Sequence, residues 1–74
     1  MTLAQLKTGL NARLVEIDPE LELRPRLLEM GLTPGTVLAV LRVAPLGDPI
    51  QIMVRSTRIS LSKRDAAGIT CQPV

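Results

Sequence analysis

Residues 50–62 constrain the fold of this chain more than any other stretch. Ile50, Ile52 and Val54 alternate with Gln51, Met53 and Arg55, and beyond Ser56-Thr57 the alternation resumes with Ile59 and Leu61 between Arg58, Ser60 and Ser62. A period of two is that of a strand with one buried face, and two such runs joined by a short polar pair read as a β-hairpin. With Ser56-Thr57 as the two-residue turn, Val54 faces Ile59 and Ile52 faces Leu61. Met53 then lies opposite Ser60 and Gln51 opposite Ser62. Both strands name the same buried face, and that agreement is expected to fix the register.

A hairpin alone is marginal in water and must pack against more structure. At 74 residues the chain has room for one small domain, which buries only about 60% of the surface of its unfolded form. Such domains usually rely on disulfides, a structural metal or oligomerisation. Cys71 is the one cysteine and there is no histidine, so neither an internal disulfide nor the commonest metal ligand is available. The core must therefore be aliphatic, and Leu, Val, Ile, Ala and Met supply it.

Elsewhere the chain is cut into short pieces. Thr2-Leu-Ala-Gln5 fits a capping box and opens a short helix over Leu3–Lys7, before Gly9. Ala12–Ile17 suits a strand whose inward phase is unreadable, because Leu14 and Val15 are both apolar. After the Asp18-Pro19 turn, Leu23, Leu27, Leu28 and Met30 share a helical face, and Pro25 fits the first turn of a helix starting near Glu22 or Arg24. Gly31 followed by Leu32 predicts a Schellman ending. Pro34-Gly35 reverses the chain into a strand over Thr36–Val43. Ala44–Pro49 is a rigid loop with Asp48 placed to cap its own turn. Ser62–Asp65 can cap one more helical turn before Gly68, and Ile69–Gln72 forms a last strand. These elements predict a mainly β domain: a small, strongly bent SH3-like β-barrel of about five strands, with a short inserted α-helix and a short N-terminal helix over residues 1–74. Closure would remove its strand edges.

Composition excludes several functions. Nine basic against seven acidic residues leave a net charge of only +2, and no Phe, Tyr or Trp offers a base-stacking platform, so nucleic-acid binding is not expected. No cofactor and no metal site is expected, since iron(II) sites combine His with carboxylates or use several thiolates. Ser, Thr and Cys71 have no base to activate them, which argues against an enzyme. No apolar run approaches a membrane span and no signal peptide precedes the domain, so the expectation is a cytoplasmic protein without membrane insertion.

Leu27-Leu-Glu-Met-Gly-Leu-Thr-Pro-Gly35, followed by Ala44-Pro-Leu-Gly-Asp-Pro49, resembles the FeoA family of small SH3-like barrels. The resemblance extends to Leu6-Lys-Thr-Gly9 and Ala66-Ala-Gly-Ile69. It implies a barrel with a helix inserted between its first two strands. It also implies binding to the cytoplasmic face of the FeoB-type membrane iron transporter. Position 56, usually Gly in the family, is Ser here. A two-residue hairpin turn favours φ > 0, so strain or a rearranged turn is expected at Ser56-Thr57.

Three surfaces are candidates for docking. Leu46, Gly47, Asp48 and Pro49 form a loop that either meets a partner or simply connects strands, with Leu46 packed on its own barrel. If Leu38 and Val40 point inward, Val37, Ala39, Leu41 and Val43 make an apolar stripe. With the neighbouring Met53, it either meets a partner or second copy or is covered by the N-terminal helix. Arg55 and Arg58 should face each other beside the turn and, with Lys63 and Arg64, form a basic patch. That patch either meets an acidic partner or serves as a solvated edge that discourages strand pairing. The alternatives to a transporter accessory protein are a regulatory domain like that at the C-terminus of metal-dependent transcriptional repressors, or a self-associating module. A repressor needs a helix-turn-helix upstream, so that alternative is expected to hold only if this chain is a fragment of a longer one.

Overall fold

The computed structural model describes all residues, Met1–Val74. The five strands are β1 (Asn11–Ile17), β2 (Val37–Val43), β3 (Ile50–Val54), β4 (Thr57–Leu61) and β5 (Ile69–Pro73). They form one antiparallel sheet in the order β4-β3-β2-β1-β5. Helix α1 (Arg24–Glu29) is inserted between β1 and β2, and the single turn α2 (Lys63–Ala66) between β4 and β5. The sheet curls around its core but no ladder joins β4 to β5. The expected closure of the barrel is thus corrected to an open, bent sheet with two edges.

Two bulges produce the bend. Leu14 pairs with Cys71 but Glu16 with Thr70, so Val15 is an extra residue in β1. Val40 pairs with Ile52 but Arg42 with Gln51, which leaves Leu41 extra in β2. Each extra residue increases local twist and reverses the inward phase beyond it. Ala12, Leu14 and Ile17 are consequently the buried residues of β1, which is why its phase could not be read from alternation.

The hairpin has the predicted buried face but a different register. Ile52 pairs with Ile59, Ile50 with Leu61, Met53 with Arg58, Gln51 with Ser60 and Val54 with Thr57. The turn is therefore Arg55-Ser56, with φ of 48° and 67°, the left-handed pair that a type I′ turn requires. A turn at Ser56-Thr57 would place β-branched Thr57 in that region, where its Cβ substituents clash. Moving the turn by one residue leaves every side chain on the same face, so face agreement determined parity and not register.

Two local signals appear as the sequence predicts. Gly31 has φ of 96°; its N–H donates to the Leu28 carbonyl at 3.1 Å and that of Leu32 to Leu27 at 3.0 Å, which is the Schellman pattern. Ser62 Oγ accepts from the Asp65 N–H at 3.0 Å and opens α2. The N-terminal helix is shorter than expected, a single 3₁₀ turn over Leu3–Gln5, with Gln5 Oε1 accepting from the Thr2 N–H at 2.8 Å. Residues three apart eclipse in that geometry, so Leu3 and Leu6 enter the core together. All seventeen buried residues are apolar; Arg24 Nε, at the start of α1, is a buried polar side-chain atom without a hydrogen-bond partner.

Candidate functional site: a tethered loop and an open edge

Loop 44–49 is fixed at both ends. The Ala44 N–H donates to the Pro49 carbonyl at 3.0 Å and the Gly47 N–H to Ala44 at 2.9 Å. Asp48 does not cap its own turn; its Oδ1 accepts from the Lys63 N–H at 3.3 Å and ties the loop to the start of α2. Gly47 lies against the Lys63 side chain, which a Cβ there would approach to 3.5 Å. Between these ties sits Leu46, with φ of 68° and 94% of its surface exposed. Its side chain therefore does not pack on its own domain. A leucine in the left-handed region costs about 1–3 kcal/mol, and here no burial offsets that cost. Pro49 is exposed beside it.

The other candidate residues are less contiguous than the sequence suggested. Val37 is exposed, Ala39 and Leu41 are half-buried, and Met53 lies half-buried opposite Ala39. The bulge at Leu41 breaks the stripe: Arg42 turns outward, while Val43 pairs with Ile50 and packs against the core. The N-terminal turn does not cover this face. Residues 8–10 lie beside β2 in the plane of the sheet, with Gly9 N–H donating to the Val40 carbonyl at 2.9 Å and Thr8 Oγ1 accepting from the Val43 N–H at 3.1 Å.

The basic residues also separate. Arg55 is in the turn, not opposite Arg58, and its stem lies over Gly31. Lys63 faces Gly47, and Arg64 lines a polar cleft with Glu20, Glu22 and Asp65. Arg58 instead borders a groove of about 220 Å³ between α1 and β4. Leu23, Leu27, Met30, Ile59 and Leu61 form its apolar wall, and Arg26 and Arg58 its charged rim. The sequence places Leu23 and Met30 on one helical face with Leu27; that they stay half-exposed across from a strand edge is a tertiary property.

Cys71 offers no reactive thiol. It is fully buried, and burial pushes its pKa up, partly countered by the nearby N-terminal ammonium, so the nucleophilic thiolate is disfavoured. No three of the acidic and thiol side chains come together as a metal-binding group.

Five short antiparallel strands, two bulges and a helix inserted after the first strand define the SH3-like class. A FeoA domain model matches residues 1–73, and the chain belongs to the FeoA family of ferrous iron transport. Over 69 residues it is 38% identical to the Fe(2+) transport protein A/Fe(2+) transporter FeoB fusion protein of Porphyromonas gingivalis, covering 93% of this chain and only 8% of that protein. The FeoA protein of Chlorobium tepidum superimposes with a TM-score of 0.91 at 38% identity, covering 100% of this chain and 70% of that one. A manganese-dependent transcriptional repressor shares the fold alone, with a TM-score of 0.86 at 16% identity over 100% of this chain and 41% of that chain.

Proposed function

We propose that this chain is a cytoplasmic, non-enzymatic accessory protein of bacterial ferrous iron uptake, which binds the cytoplasmic part of a FeoB-type transporter and regulates it. The observation that carries this reading is Leu46, an apolar side chain held fully in solvent by a loop tied at both ends. Strain without compensating burial points to a contact made outside the chain. The fused relative supports the identity of the partner, because fusion keeps two domains at high effective concentration. No helix of this chain is long and apolar enough to cross a membrane, so the membrane step falls to the partner. Co-purification with detergent-solubilised FeoB tests the reading. Association that persists from low to moderate ionic strength is expected; no association at any ionic strength overturns it.

A further inference from the structure

The groove between α1 and β4 runs beside an unpaired strand edge. A two-residue turn closes on a hydrogen-bonded pair, here Val54 and Thr57, and such pairs alternate along a hairpin. Thr57, Ile59 and Leu61 therefore direct their backbone groups to β3, while Arg58 and Ser60 direct theirs away from the sheet. Neither residue's backbone makes a hydrogen bond outside the ladders, and both side chains are exposed. Beside this edge lie the apolar wall of Leu23, Leu27 and Met30 and the two guanidinium groups of Arg26 and Arg58.

We propose that β4 accepts an extended acidic peptide as a sixth strand, with alternate apolar side chains entering the groove and carboxylates meeting Arg26 and Arg58. The free amides and carbonyls supply backbone pairing, the apolar wall takes every second side chain, and the rim selects charge. A second copy of this chain is disfavoured as occupant, because pairing two β4 edges would bring two Arg26–Arg58 sets together. The same positive rim thus discourages self-association and admits a partner of opposite charge. None of the groove residues belongs to loop 44–49, so this inference stands or falls apart from the transporter reading.

The test is a titration of the whole ¹⁵N-labelled protein with a capped peptide of about eight residues, alternating valine with aspartate or glutamate. Amide shifts are expected at Arg58 and Ser60 and along Leu23–Met30. Arg26→Glu combined with Arg58→Glu, both at exposed positions, is expected to raise the Kd about tenfold or more. A lysine version of the peptide, and the acidic peptide N-methylated at alternate residues, are both expected to lose binding. Equal binding by the lysine or N-methylated peptide overturns the proposal, as do shifts confined to other residues. Shifts at Arg58 and Ser60 that follow protein concentration alone also overturn it, and would assign the edge to a second copy.

Discussion

The two edges of the sheet are finished in different ways. At β5 the chain's own start lies along the edge: the Cys71 N–H donates to the Met1 carbonyl at 2.8 Å, the Met1 ammonium donates to the Cys71 carbonyl at 3.3 Å, and Thr2 bridges Thr70. Leu3 and Leu6 follow immediately and are fully buried, so the seal is anchored in the core. At β4 nothing in the chain plays that role, and the strand is held by β3 through a turn of two residues with positive φ. An exposed strand edge is normally an aggregation hazard. Covering one and leaving the other beside a charged groove separates two jobs: β5 completes the fold, and β4 stays available.

The largest effect is expected where the seal meets the core. Leu3→Ala should cost about 2–5 kcal/mol, close to the whole stability of a domain this small. Urea or thermal unfolding should show a protein largely unfolded at 37 °C; an unchanged midpoint would mean that the N-terminal cover is dispensable. Hydrogen exchange compares the edges directly. The Cys71 amide should exchange about a hundredfold more slowly than those of Arg58 and Ser60, and equal rates would erase the distinction. A smaller effect is expected at the turn that carries the open edge. Arg55→Asn with Ser56→Gly gives the preferred type I′ pair and should add about 1 kcal/mol, read as a higher urea midpoint. The smallest concerns pH. Burial beneath the N-terminal cover raises the Cys71 pKa, so folding favours the neutral thiol. That contribution is complete below the ordinary thiol value of 9.0 and is lost as pH rises through the higher folded value. Urea midpoints should fall on the alkaline side, and Cys71→Ala should flatten that part of the slope.

Much of the fold is legible in local chemistry. The Schellman ending at Gly31-Leu32, the cap at Ser62 and the buried face of the hairpin each depend on residues within a few positions of one another, and each appears as the sequence predicts. What was missed depends on partners distant in the chain. Val15 and Leu41 become bulges only because their pairing strands continue out of phase, and a bulge leaves no mark on a single strand's composition. The hairpin register escaped because a shift of the turn preserves parity, while the side-chain sterics at Thr57 decide it. The capping box at Thr2-Leu-Ala-Gln5 is readable locally, but not the fact that Leu3 and Leu6 bring Met1 and Thr2 onto β5. For the candidate site, the Pro-Leu-Gly-Asp-Pro stretch announced a rigid loop. Its tie to α2 joins Asp48 to Lys63 across fifteen residues and is a property of the packed fold.

The most direct test of the docking account is to measure FeoB binding and folding together in Leu46→Asp. Leu46 makes almost no use of the domain for burial, so the variant's unfolding free energy should change by no more than about 0.5 kcal/mol. Its affinity for detergent-solubilised FeoB should fall about tenfold or more. A folded Leu46→Asp protein that binds the transporter as tightly as the unsubstituted chain would contradict the account.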